Sequence, residues 1–344
     1  MKRSILIRTD ASADIGTGHL MRCLAFAQEC RKKGHEPLFV LSMETPLIER
    51  LKNEGMTVIR IDAERGSSND AAKTIAIAND HDAQWILTDG YVFDAAYGAA
   101  LRSAGHRVLM VDDYAHLLAY DCDILLNQNI DATEEMYADK ADVALLLGTR
   151  YALLRKEFVE YGDRARKIPD VATNILVTLG GVDPGNATAP ILHALDRIDT
   201  HALTITVLAG SENLHEDALK KIAAGSKHRI TLLRSVTDMP SLMAEADIAI
   251  AAAGSTSWEL LFMGLPFITG ILAENQAGIA RELGVRKLAV NAGWYRDIPP
   301  ESLAASILAL IENHEARKRM SDAGKATVDG MGAERVLKAI LSRS

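Results

Sequence analysis

At 344 residues the chain exceeds the usual size of one hydrophobic core, and its 48% hydrophobic but only 5% aromatic composition suits two aliphatic α/β domains. A net charge of −8 argues against a general nucleic-acid binder, which needs clustered Lys and Arg to displace counterions. Three cysteines (Cys23, Cys30 and Cys122) without CxxC spacing argue against a disulfide scaffold or a zinc site and fit a reducing compartment.

The first strand-like run, Ser4-Ile5-Leu6-Ile7, is interrupted by Arg8 and Asp10 too early for a signal peptide, and no run of about 18 apolar residues follows. A cytoplasmic protein without a membrane partner is therefore expected. A monomer is compatible with the sequence.

The run leads into Arg8-Thr9-Asp10-Ala11-Ser12-Ala13-Asp14-Ile15-Gly16-Thr17-Gly18-His19-Leu20-Met21-Arg22-Cys23, and a helix-like run continues to Cys30. A strand, a turn with Gly16 and Gly18 and then a helix bring free backbone N–H groups and a helix dipole to one point, which suits an anion. A dinucleotide fingerprint would need a third Gly or Ala and an acid beyond the second strand. Met21 holds the third position, and Ser42-Met43 follows the second strand before Glu44.

His19 falls in the first helical turn, where the dipole favours the neutral imidazole. It reads either as a general base or as a hydrogen-bond donor to phosphate. Asp10 can orient His19, lie in the site as a second carboxylate or merely end the strand. Arg22 can pair with phosphate or with Asp10, though a solvated surface position is the commoner fate of such a residue.

Further strands are expected at Pro37-Leu41, Thr57-Ile61, Gln84-Thr88, Arg107-Val111, Asp123-Leu126 and Val143-Leu147, with helices at Pro46-Asn53, Ala71-Asn79 and Ala95-Ala104. Such alternation predicts a parallel sheet covered on both faces, with ligands at the carboxyl ends of its strands. The strand exits Asp89-Gly90-Tyr91, Asp112-Asp113-Tyr114 and Asn127-Gln128-Asn129 then open on the same edge as His19. Tyr91 can bind or stack on a sugar, and Asp89 can cap the next helix, against the plainer reading of all of them as turn residues. Asp80-His81-Asp82 resembles a metal-binding DxD but lies on the opposite edge, as an exposed turn. No metal site and no cofactor are expected.

The polar stretch Tyr161 to Asp170 is the linker candidate. It sets the expected domains at 1–165 and 172–344, with the last helix free to pack back on the first domain.

In the second half, strands at Asn174-Leu179, Leu203-Leu208, Ile230-Arg234, Asp247-Ala252 and Pro266-Ile271 alternate with helices. The turn Gly180-Gly181-Val182-Asp183-Pro184 after the first of them is a second potential anion cradle. In Gly254-Ser255-Thr256-Ser257-Trp258-Glu259, Ser255 and Thr256 can hold a diphosphate while Glu259 accepts ribose hydroxyls. The same spacing also suits a capping box. Glu274-Asn275-Gln276 and the loop around Val236 add polar and backbone groups at that edge. Three amphipathic helices, Pro300-Asn313, Glu315-Val328 and Ala333-Ser342, complete the chain.

Together, Arg-x-Asp-x-Ser-x-x-Ile-Gly-x-Gly-His-x-x-Arg-Cys, Thr-Leu-Gly-Gly-x-Asp-Pro, Gly-Ser-Thr-x-x-x-Glu and Glu-Asn-Gln resemble, along almost the whole length, the UDP-sugar hydrolases of pseudaminic acid biosynthesis and related spore-coat polysaccharide proteins. The first motif is specific in combination, and the others are shared with glycosyltransferases of the MurG type. The resemblance implies a GT-B arrangement, two Rossmann-like doubly wound domains facing across a cleft. It also implies metal-independent hydrolysis of UDP-2,4-diacetamido-2,4,6-trideoxy-β-L-altropyranose or a close relative, with inversion and with His19 as base. Gly180, Gly181, Ser255, Thr256 and Glu259 then bind UDP, and Asp10, Tyr91, Asn275 and Gln276 lie near the sugar. A MurG-like glycosyltransferase and a non-catalytic nucleotide-sugar-binding protein are the alternatives.

Overall fold

The computed structural model describes residues 3–12, 15–140, 143–162, 164–180, 183, 185–210, 215–234 and 236–343. The chain divides into two compact units, Met1–Lys156 joined by Gly330–Ser344, and Glu157–Asp329.

The first unit is built on β1 (Ser4–Thr9), β2 (Glu36–Leu41), β3 (Thr57–Arg60), β4 (Ala83–Asp89), β5 (Arg107–Val111), β6 (Ile124–Asn127) and β7 (Ala144–Leu147). They form one parallel sheet of order β3-β2-β1-β4-β5-β6-β7. The helices between them are α1 (Gly18–Lys32), α2 (Leu47–Asn53), α3 (Ser68–Asp80) and α4 (Ala95–Ser103). Alternation along the strands separates two cores. Ile5, Ile7, Trp85, Leu87 and Leu109 pack with Leu20, Leu24 and Phe26 of α1. Leu6, Ile86, Val108 and Met110 pack on the other face with Ala71 and Ala78 of α3 and Tyr97 and Leu101 of α4. Asp80 ends α3 and His81-Asp82 follow it as an exposed turn.

The second unit opens with α5 (Lys156–Tyr161) and carries β8 (Asn174–Thr178), β9 (Thr204–Leu208), β10 (Arg229–Leu233), β11 (Ile248–Ala252), β12 (Phe267–Ile271) and β13 (Val290–Trp294). This sheet too is parallel, in order β10-β9-β8-β11-β12-β13. Its helices are α6 (Thr188–Leu195), α7 (Glu216–Gly225), α8 (Met239–Glu245), α9 (Thr256–Phe262), α10 (Ala277–Val285), α11 (Pro300–Glu312) and α12 (His314–Thr327). Strand β13 was not expected, because Asn291 and Gly293 interrupt its apolar run. Pairing with β12 through Ile268↔Val290 and Thr269↔Asn291 supplies what local pattern lacks.

The polar stretch read as a linker is tied into the second unit. The Arg166 guanidinium donates to the carbonyls of Ala246 (2.6 Å), Met263 (3.1 Å) and Met243, and burial pushes its pKa down to about 10. Arg317 likewise donates to the carbonyls of Pro169 (2.5 Å) and Asp170 (2.9 Å). The division between the units falls at Lys156, ahead of that stretch.

After α12 the chain rejoins the first unit as α13 (Gly332–Leu341), whose Val336, Leu337 and Ile340 share a core with α1. With the sheet on one side and α13 on another, α1 is buried nearly all round, which explains its weak amphipathic pattern.

Candidate active site in the first unit and candidate anion site in the second

In each sheet the strand order reverses beside the first strand of the unit, so the loops leaving β1 and β4, and those leaving β8 and β11, diverge and leave a crevice. In the first unit, Gly16 N–H donates to the Ser12 carbonyl at 2.8 Å to close the turn. Gly18 opens α1, whose N-cap Thr17 provides no side-chain bond. Space around Gly16 is open enough to admit a Cβ without contact.

His19 emerges one residue later and meets Asp89, the last residue of β4. His19 Nδ1 lies 2.6 Å from Asp89 Oδ1. Arg22, one turn along the same helix face, donates from Nε to Asp89 Oδ2 at 2.7 Å and from Nη1 to Asp113 Oδ1 at 2.6 Å. Tyr91 OH and Asn129 Nδ2 also donate to Asp113, at 2.8 and 3.2 Å, and Cys23 Sγ lies 3.4 Å from Asp89 Oδ2. Burial alone would raise the Asp89 carboxyl, but Arg22 and His19 outweigh it and hold it well below the usual carboxylate range. Asp113 is lowered in the same balance, burial opposed by Arg22.

An ionised Asp89 at 2.6 Å requires the proton on Nδ1 of His19. The Arg22 Nη2 contact to that nitrogen, 3.1 Å, is then electrostatic rather than a hydrogen bond. The tautomer thus assigned leaves a lone pair on Nε2, which no described residue engages. This is the arrangement by which a carboxylate orients an imidazole as a base. The Tyr91 ring stands edge-on to the imidazole, centroids 4.9 Å apart.

Three expectations are corrected here. Asp10 does not orient His19: it binds Arg8 Nη1 at 2.6 Å and the backbone N–H groups of Ser42 and Met43 at 2.8 and 3.0 Å, tying the exits of β1 and β2 together. Arg22 is neither on the surface nor paired with Asp10, because two buried carboxylates neutralise it. Asp89 does not cap α4: Asp94 does, accepting from Tyr97 N–H at 2.9 Å. Residues named in the sequence without an assigned role matter as much. Arg8, the first residue of the motif, is fully buried and clamps Asp70 through Nε (2.9 Å) and Nη2 (2.7 Å), and Asp113 is a hub of the site. Their signal was a charged residue at the end of an otherwise apolar strand.

In the second unit Gly180, at φ +97°, leaves β8 in a conformation that favours glycine, and nothing would touch a Cβ there. Gly181 lies outside the described residues. Asp183 accepts from the N–H groups of Ala187 and Thr188, at 2.8 and 2.9 Å, and so caps α6. Gly254 leaves β11 into open space, and Ser255 stands at the N-cap of α9 without a side-chain cap bond. Thr256 and Glu259 lie in the first turn of that helix, both half-buried. Gln276 Oε1 accepts from Leu272 N–H at 2.9 Å, which fixes the turn leaving β12, with Asn275 beside it. Val236 is half-buried in the loop after β10. Because β8, β11 and β12 are neighbours in the sheet, the turns carrying Gly180, Gly254 to Thr256 and Asn275-Gln276 stand side by side at one edge.

Comparison with known proteins agrees with this architecture. Residues 175–335 match the glycosyltransferase family 28 C-terminal domain. An uncharacterized protein of Methanocaldococcus jannaschii is 26% identical over 79% of this chain and 56% of its own length. The spore coat polysaccharide biosynthesis protein SpsG of Bacillus subtilis is 29% identical over 47% of this chain and 48% of its own length. These matches span about half of those two relatives. UDP-2,4-diacetamido-2,4,6-trideoxy-β-L-altropyranose hydrolase of Campylobacter jejuni is 25% identical over 80% of this chain and 94% of its own length. Among solved structures, MurG of Acinetobacter baumannii superposes with a TM-score of 0.70 at 18% identity, covering 99% of both chains. Anabaena HepE in complex with UDP-glucose gives 0.68 at 15%, covering 99% of this chain and all 100% of that one.

Two Rossmann-like domains of parallel sheet with the family 28 C-terminal domain define a protein of the GT-B class. Within that class the chain is similar to SpsG and to the Campylobacter hydrolase.

Proposed function

We propose that the protein is a UDP-sugar hydrolase in which the first unit supplies the base and the second unit holds the nucleotide. The observation that carries this reading is the His19–Asp89 pair, 2.6 Å apart, with Nε2 unengaged among the described residues, beside a strand-order reversal. Nε2 takes a proton from water as the water oxygen bonds to the anomeric carbon. The anomeric C–O bond breaks on the opposite face, its electron pair leaves with the β-phosphate of UDP, and the free sugar appears with inverted configuration. Asp89 offsets the charge that the imidazole acquires.

The turns at Gly180-Gly181, Gly254-Ser255-Thr256 and Val236 hold the departing UDP through backbone N–H and hydroxyl groups, and Glu259 accepts the ribose hydroxyls. Asp10, Gly16, Gly18, Arg22, Tyr91, Asn275 and Gln276 complete the surroundings of the sugar, Asp10 and Arg22 by fixing neighbouring groups. The substrate class follows the Campylobacter relative: a UDP-linked diacetamido trideoxy sugar, UDP-2,4-diacetamido-2,4,6-trideoxy-β-L-altropyranose or a close relative, feeding surface-polysaccharide or nonulosonic-acid synthesis.

The test is incubation with a panel of UDP-amino sugars in EDTA, following UDP release and the anomer by NMR. UDP and one inverted free sugar in water alone support hydrolysis without a metal. The family 28 domain favours one other reading, a MurG-like glycosyltransferase, for which UDP release would require an added acceptor.

A further inference from the structure

A second histidine–aspartate pair lies behind Tyr91. His116 Nδ1 is 2.9 Å from Asp112 Oδ1, and His116 Nε2 is 3.3 Å from the Tyr91 carbonyl oxygen. Both partners only accept, so both ring nitrogens must donate, which an imidazole does only when protonated. The Asp112 carboxylate is anchored in turn by Tyr137 OH (2.6 Å), Tyr120 OH (2.9 Å) and Ala115 N–H (2.7 Å).

The loop that carries Tyr91 is fixed from its other side too. A Cβ on Gly66 would come within 2.3 Å of the Val92 carbonyl oxygen, so the loop rests on the bare backbone of that glycine. Tyr91 stands edge-on between two histidine rings, His19 at 4.9 Å and His116 at 5.4 Å.

We infer that His116, as an imidazolium, is a positioning residue that clamps the Tyr91 loop against the His19 site, and that its deprotonation releases Tyr91 and weakens sugar binding. This rests on the hydrolase reading only for its kinetic consequence. Neutral His116 keeps its single proton toward the Asp112 carboxylate, and its Nε2 lone pair then faces the Tyr91 carbonyl oxygen. The groups around His116 are Asp112, Tyr91, the stacked Tyr114 ring at 5.0 Å and the Asp113 charge. Tyr120 and Tyr137 share Asp112 with it, and Lys140 binds the adjacent Ala115 carbonyl at 2.6 Å. The hydrogen bond to Asp112 raises the His116 pKa, extending the clamped state above the ordinary histidine range.

The experiment is an NMR titration of the full chain with labelled histidine and tyrosine, on wild type and His116→Gln, paired with kinetics over the same pH range. The inference predicts that Tyr91 ring resonances shift with the ionisation of His116 and stop doing so in His116→Gln. It also predicts a KM for UDP-sugar that rises about two- to tenfold across that ionisation, the worth of one hydrogen bond, with kcat little changed and the rise absent from the variant. Tyr91 resonances indifferent to His116 overturn the inference, as does a KM rise that persists in His116→Gln. If no UDP-sugar is turned over while Tyr91 still follows His116, the hydrolase reading fails and the clamp stands.

Discussion

His19, Asp89, Arg22 and Asp113 form one hydrogen-bonded unit, so a change at one is felt by the others. Arg22 is buried between two carboxylates, so its removal leaves both without a counter-charge. Asp89→Asn keeps the shape of the side chain but can present an amide N–H to Nδ1, moving the imidazole proton to Nε2 and removing the base. We expect turnover to fall by about 10²–10⁴-fold with UDP affinity unchanged, as read by steady-state UDP release and calorimetric titration.

These two carboxylates, with Asp112, contribute to the acid limb of stability. Asp89, Asp112 and Asp113 are held lower in the folded state than their unfolded value of about 3.9. Their contribution is therefore complete above that value and lost as pH falls through the folded pKa values. Urea midpoints should fall steeply below about pH 4, and Asp112→Asn, already lacking one of these contributions, should show a shallower fall.

Among elements, α13 shows most clearly what sequence order conceals. Its apolar face is plain in Val336, Leu337 and Ile340, but no local pattern states that the partner is α1, some 300 residues earlier. Gly332 lets the start of α13 close on the segment ahead of α5, since a Cβ there would lie 2.2 Å from the Ala152 carbonyl oxygen. Leu337→Ala should cost about 2–5 kcal/mol of first-unit stability by urea denaturation.

The strands of both units were legible from aliphatic runs, and so was the edge on which their exits gather. The partners of each charged group were not, because Asp10 and Asp89 leave neighbouring strands with equal claim on His19 until the register of β1 against β4 decides between them. β13 stayed hidden for the same reason: Asn291 and Gly293 are strand residues only because β12 lies alongside.

At the scale of the whole molecule, two units of the same winding carry different groups at equivalent edges, a histidine and carboxylates in one and open glycine turns in the other. The proposed division of labour predicts separable effects. Glu259→Gln should weaken UDP binding by about tenfold or more, the scale of a charged hydrogen bond, while leaving kcat at saturation nearly intact, as seen in calorimetry and initial rates. The most direct test is UDP release by His19→Asn at saturating UDP-sugar, with UDP affinity measured alongside. The account predicts a loss of at least about 10²–10⁴-fold in kcat with UDP bound as tightly as by wild type. Turnover near the wild-type rate would show that another group takes the proton and would contradict it.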